Sequence, residues 1–250
     1  MLRKLSYFIL ISILYFVSPS YAAVKVGILQ FDPPFVTTDK RFVLSGFDIE
    51  LMKCICSELN WSCKFVIFKD YSKLIDALLT NNVDYAMSGI VITPLKNPNL
   101  LFSIPYLISA GNFITLKSNT EITNLASLQN KKVGVLAGRG YGEYLKQNPS
   151  ALNLQVVDYY NYMDLLNDFY TKKVDAIFLN NYTAMYLLHQ YPDFVKLINT
   201  SISFANGIGI LSRADNKENI DRINALLTRF ETDGTFVTLY NYNFAFFVNQ

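Results

Sequence analysis

Ala137-Gly138-Arg139-Gly140-Tyr141-Gly142-Glu143 sets one arginine among three glycines, between an apolar strand and the start of a helix. Exposed backbone N–H groups at such a turn, with a helix N-terminus behind them, suit a small anion such as a carboxylate. Arg139 adds a fixed positive charge. The run is not the dinucleotide pattern and lacks the Lys-Ser/Thr pair of a nucleotide-triphosphate loop. The alternative is a turn that needs glycine only for its dihedrals. Other chemistry is thinly provided. The one histidine, His189, lies near the end of a helix before Tyr191-Pro192, so no nucleophilic triad or Cys/His pair is supported. Asp84 and Asp175 sit at equivalent strand entries, which favours a structural role in both over acid–base work. No metal or other cofactor is expected, because one histidine and the cysteine spacings do not suit zinc.

Those residues need elements to hold them, and the chain repeats one plan. Lys25-Val26-Gly27-Ile28-Leu29 returns as Lys132-Val133-Gly134-Val135-Leu136. The stretch from Leu78 to Ala86 returns in outline from Asp168 to Ala176, each ending in a strand entered through Val-Asp. Two copies of one α/β plan imply two similar lobes with a ligand groove between them. Strands are expected at Val24–Leu29, Lys64–Phe68, Tyr85–Met87, Asn112–Lys117, Val133–Leu136, Val156–Tyr159, Ala176–Leu179 and near Ile208–Leu211. Helices are expected over Tyr71–Thr80, near Met163–Tyr170, over Thr183–Gln190, from about Asn219 to Phe230, and over Phe236–Phe247. A short helix is expected after Pro94. Asp48 is placed to cap the helix that follows Gly46.

Residues 1–22 read as a leader: Arg3 and Lys4, an apolar run from Leu5 to Val17, then Ser20-Tyr21-Ala22, with cleavage expected before Ala23. The run is shorter than the ~20 residues a membrane span needs. The 22 Lys and Arg and 20 Asp and Glu include Arg3 and Lys4, so without the leader the chain is formally neutral. That balance gives no footprint for nucleic acid and no basic run for a membrane surface. In an exported chain, one pair among Cys54, Cys56 and Cys63 should oxidise. Cys56 ends an apolar-periodic helix and Cys63 starts the next strand, so a Cys56–Cys63 bond would close a short loop worth about 2–3 kcal/mol. Cys54 leaves the helix about 160° from Cys56 and reads as a small buried hydrophobe.

Several stretches, in order, carry a resemblance: Pro33-Pro34-Phe35, Gly46-Phe47-Asp48-Ile49-Glu50-Leu51, Ile92-Thr93-Pro94, Phe102-Ser103-Ile104-Pro105-Tyr106, Lys132-Val133-Gly134-Val135, Val174-Asp175-Ala176 and Asp233-Gly234-Thr235. Over residues 23–247 the chain resembles the periplasmic solute-binding proteins of bacterial polar amino-acid ABC transporters, the histidine-, lysine/arginine/ornithine- and glutamine-binding type. The Cys56/Cys63 spacing also resembles the disulfide of the histidine-binding branch. The resemblance implies an α/β, two-lobed periplasmic binding protein fold of type II, with a two-stranded hinge and a central ligand cleft. Lobe 1 would take residues 23–110 and 205–250, and lobe 2 residues 111–204. Ligand would close the lobes, and the closed form would be presented to a membrane permease.

The resemblance also nominates a site, and the sequence departs from it there. Lys96 stands where the family has an arginine for the ligand carboxylate, and loses the two-pronged fork. Asn180 replaces the acidic residue that holds the ligand ammonium, Val91 replaces a serine, and Asp32 replaces a covering aromatic; Tyr71 keeps another aromatic. The expected ligand-binding set is Asp32, Tyr71, Ser88, Gly89, Lys96, Arg139, Gly140 and Asn180. In it, Lys96 and Arg139 would share an anionic group, while Asp32, Asn180 and the Gly89 carbonyl would receive a cationic or polar end. Against that stands a plainer arrangement, with Asp32 capping the Pro-Pro turn and Arg139 in solvent.

The expected function is a monomeric periplasmic binding protein, not an enzyme, that captures a polar amino acid or related small zwitterion for an ABC permease. Two other classes are compatible with the fold: a periplasmic cyclohexadienyl or arogenate dehydratase, and a ligand-sensing partner of a membrane receptor.

Overall fold

A computed structural model describes residues 23–245, except 40, 42, 96, 148–151 and 204. The expected leader and Lys96 therefore lie outside the described residues. The strands are β1 (Val24–Leu29), β2 (Thr37–Thr38), β3 (Leu44–Ser45), β4 (Cys63–Phe68), β5 (Tyr85–Ala86), β6 (Leu100–Phe102), β7 (Ala110–Leu116), β8 (Lys132–Leu136), β9 (Gln155–Tyr159), β10 (Ala176–Asn180), β11 (Val195–Ser203) and β12 (Leu211–Arg213). The helices are α1 (Phe47–Glu58), α2 (Tyr71–Leu79), α3 (Tyr141–Gln147), α4 (Tyr162–Tyr170), α5 (Asn181–Gln190), α6 (Lys217–Thr232) and α7 (Thr235–Asn243).

Two five-stranded sheets repeat one order. The first runs β4-β1-β5-β12-β6; the second, read from its other edge, runs β9-β8-β10-β7-β11. In each, the first three strands are parallel and the last two antiparallel to their neighbours. β7 and β12 are the equivalent fourth strands, so the chain leaves the first sheet, builds the second, and returns. The crossing segments meet where Leu107 and Ile208 bridge.

The repeated residues explain the repeated geometry. The Lys25 amide donates to Asp84 Oδ2 at 2.7 Å, and the Lys132 amide to Asp175 Oδ2 at 2.8 Å. Ser212 Oγ donates to the Asp84 carbonyl at 2.9 Å, and Thr115 Oγ1 to the Asp175 carbonyl at 2.8 Å. Both aspartates thus pin the entry of their own strand to two neighbours. The repeated glycines admit a helix: a Cβ on Gly27 would lie 2.4 Å from Leu74 of α2, and one on Gly134 would lie 2.6 Å from Leu165 of α4. Leu74, Ala77 and Leu78 of α2, and Tyr162, Leu165 and Phe169 of α4, form the buried stripes, at the spacing an amphipathic helix requires.

Several local expectations are corrected. Asp48 caps nothing; it is the second residue of α1, whose N-cap is Gly46 without a side-chain bond. Its carboxylate instead takes up distant donors, described below. Cys56 and Cys63 are bonded as expected, whereas Cys54 is partly rather than wholly buried. The fourth strand of the first sheet begins at Leu211, because Ile208 is engaged by bridges from Val91 and Leu107 in the crossing segment. No helix follows Pro94 among the described residues; β6 does, pairing with β12. β11 was also unexpected, and it closes the edge of the second sheet on β7. α7 stops at Asn243, and residues 246–247 of its expected span lie outside the described residues.

Candidate functional site

The strand ends of both sheets point their loops at one another. After β1, Asp32 enters a tight turn in which its carbonyl accepts from the Phe35 and Val36 amides at 3.0 Å each. The Pro33–Pro34 peptide in that turn is cis. After β5, Ser88 and Gly89 take positive φ values of 152° and 55°, a conformation unusual for serine. Neighbours over-determine that turn. Ser88 Oγ accepts from the Leu29 amide at 2.9 Å, and Asp48 Oδ2 accepts from the Gly89 amide at 2.8 Å. Asp48 Oδ1 accepts from the Tyr106 hydroxyl at 2.8 Å. With these partners fixed, the Ser88 and Gly89 carbonyls are left facing the other lobe.

Arg139 comes from that other lobe to meet them. The turn after β8 places it between Gly138 at φ 74° and Gly140 at φ 85°, where a side chain would be strained. Its Nη1 lies 2.6 Å from Asp32 Oδ2. Its Nη2 donates to the Ser88 carbonyl, and to the Gly89 carbonyl at 3.3 Å. The Tyr71 ring covers the guanidinium at 6.0 Å. Arg139 is 5 % exposed and Asp32 2 %, so this ion pair is buried: Arg139 is not in solvent, and the Asp32 side chain meets Arg139 while its main-chain carbonyl closes the Pro-Pro turn.

Burial sets the electrostatics. It pushes the Asp32 carboxyl up to about 6, with Arg139 pulling the other way; at neutral pH Asp32 is the anion. Burial works most strongly against the charge of Arg139, but Asp32, with smaller contributions from Tyr141 and Tyr71, moves the guanidinium upward. Burial likewise pushes Asp48 up to about 7, opposed by the Gly89 amide and the Tyr106 hydroxyl.

Four of the eight nominated residues, Asp32, Tyr71, Ser88 and Gly89, thus converge on a fifth, Arg139. Gly140 lies beside them at the mouth. Asn180 is buried at the N-cap of α5, where its Oδ1 accepts from the Tyr182 amide at 2.8 Å. Sequence reasoning missed Asp48 and Tyr106, which brace the Gly89 turn, and Tyr162, whose ring packs edge-on against Phe31 at 5.4 Å. The Tyr162 hydroxyl is buried without a hydrogen-bond partner among the described residues. Nothing in its local sequence marks it, since it reads as an ordinary core position of α4.

Space in the cleft divides in two. The inner part, among Leu29, Phe31, Tyr71, Arg139 and Tyr162, has about 20 Å³ left, room for about one water. The outer chamber holds about 500 Å³ between Tyr71, Pro94, Leu95, Phe102, Gly140 and Tyr144. That is the size of a small-molecule site.

Comparison with known proteins agrees with this geometry. The model of the bacterial extracellular solute-binding proteins, family 3, matches residues 24–246. The arginine-binding periplasmic protein of Mannheimia haemolytica is 31% identical over 212 residues, 84% of this chain and 86% of that one. Among solved structures, an arginine third transport system periplasmic binding protein from Legionella pneumophila superposes with a TM-score of 0.83 at 30% identity. That match covers 90% of this chain and 100% of the other. An ancestral arginine-binding protein bound to arginine gives a TM-score of 0.80 at 29% identity, over 89% of this chain and 98% of that chain.

Proposed function

Because the chain belongs to family 3 of the bacterial extracellular solute-binding proteins, we propose that it is the periplasmic substrate-binding component of an ABC transporter. It takes a polar amino acid or a related small zwitterion between its lobes, closes on it, and presents the closed form to a membrane permease. The observation that carries this reading is the 500 Å³ chamber lying between two equivalent sheets, with residues of both lobes in its wall. A site so divided binds its solute fully only when the lobes are together, so binding and closure are one equilibrium. Of the nominated residues, Tyr71 and Gly140 line the chamber, and Asn180 and Lys96 are assigned to its solute by the family resemblance alone. The protein acts by binding and releases its solute unchanged, after export and removal of residues 1–22.

Thermal unfolding of the purified mature chain against the twenty amino acids, polyamines and small organic acids tests this. A solute present at about 100 times its Kd should add about 2.7 kcal/mol to stability. Several degrees of stabilisation by at least one polar amino acid is expected. Turnover of prephenate or arogenate, or no stabilisation by any solute, would contradict the reading.

A further inference from the structure

We propose that Arg139 is a tethered occupant of the cleft's cation subsite, so that the lobes latch around the chain's own guanidinium and the cleft excludes cationic amino acids. The inference deepens the solute-binding reading by naming a class of solute that this site refuses.

Geometry carries it. Asp32 and the Gly89 carbonyl are the groups suited to receive a cationic end, and both already hold Arg139, together with the Ser88 carbonyl. All three acceptors belong to lobe 1, whereas Arg139 belongs to the turn after β8 in lobe 2, so the contact exists only when the lobes are together. The acceptors are occupied as well. Asp32 is matched by Arg139, and the two side-chain oxygens of the neighbouring buried Asp48 accept from the Gly89 amide and the Tyr106 hydroxyl. Asp48 thus leaves neither oxygen unpaired in this cluster. The remaining inner space of about 20 Å³ cannot admit a guanidinium or ammonium group beside the first.

Displacement by free solute is also disfavoured. A tethered group competes at an effective concentration of about millimolar or above, which a scarce periplasmic solute does not reach. An Arg139 pushed aside would remain a like charge beside the incoming cation. What remains open is the outer chamber, walled largely by Tyr71, Pro94, Leu95, Phe102 and Tyr144, with Glu143 also in its wall. It suits an amino acid whose side chain is neutral.

Small-angle X-ray scattering and calorimetry on the purified mature chain test this, with ethylguanidinium as the probe for the group lost in Arg139→Ala. Without any solute the wild type should be more compact than Arg139→Ala, and it should be unaffected by ethylguanidinium or free arginine. Arg139→Ala should be more open, should bind ethylguanidinium at least about tenfold more tightly than the wild type, and should compact when it does. Asp32→Asn should also open, but without rescue, because its anion is gone. Circular dichroism establishes that both variants are folded. A wild type as open as Arg139→Ala, or one that binds arginine as tightly as the variant does, would overturn the proposal. The two readings fail separately. Rescue of Arg139→Ala with no solute ever bound by the wild type would keep the latch and defeat the transport role. A neutral amino acid bound by a wild type that shows no latch would do the reverse.

Discussion

Asp48 illustrates how a single residue serves the site from behind it. Its carboxylate holds the Gly89 amide and the Tyr106 hydroxyl, and so fixes the turn whose carbonyls meet Arg139. Because burial raises it to about 7 from the ordinary 3.8, the folded chain keeps a proton there that the unfolded chain has lost. The stability so gained is complete below about 3.8 and disappears as pH rises through about 7. Asp32, raised to about 6, acts in the same direction. Unfolding temperatures measured from about pH 8 down to about pH 5 should therefore rise for the wild type, and rise distinctly less for Asp48→Asn. Equal slopes for the two proteins would remove Asp48 from this role. Tyr162 gives a second residue-scale expectation. Its hydroxyl is buried without a partner among the described residues, so Tyr162→Phe should leave stability unchanged or slightly raised. Tyr162→Ala should lose about 3 kcal/mol or more as a cavity forms; calorimetric unfolding separates the two.

At the scale of elements, the repeated Lys-Val-Gly strand is the unit that was plainest in the sequence. Gly27 and Gly134 are glycine because α2 and α4 lie directly over β1 and β8, with Leu74 and Leu165 where a Cβ would go. Gly134→Ala should cost about 1–3 kcal/mol through overpacking, read as a fall in urea midpoint without a change in slope. A neutral effect would mean that Leu165 can move aside. The strand entries through Val-Asp, the helices α2 and α4, and the Cys56–Cys63 link were legible for a common reason: their determinants lie within a few residues or recur in both halves. β6 was not, since three residues hold a place only by pairing with β12, far along the chain. The same limit hid the heart of the site. Arg139 reads locally as an anion-binding residue of a glycine-rich turn, and only the meeting of the two lobes shows that the anion is Asp32. Asp48 was misread for a related reason: its position near a helix start suggested a cap, while its partners lie at Gly89 and Tyr106.

At the scale of the whole molecule, lobe closure is supported by aromatic contacts as well as by the ion pair. Phe31 meets Tyr162, and Tyr182 of α5 packs against Phe35 and Phe244 of the first lobe. A buried ion pair is a weak source of net stability, since desolvation offsets much of its attraction. Its value here lies in selection: it fixes which lobe arrangement is compact and which charge the cleft will take. The balance between open and closed forms is then shared by Arg139 and the solute, and a solute shifts it only by the contacts it gains in the closed form. Isothermal titration calorimetry of the mature wild-type chain against individual amino acids tests the claim that this cleft is a solute site most directly. One-to-one binding of at least one amino acid with a neutral side chain, and none of arginine or lysine, is the predicted result. Absence of binding by every amino acid would contradict it.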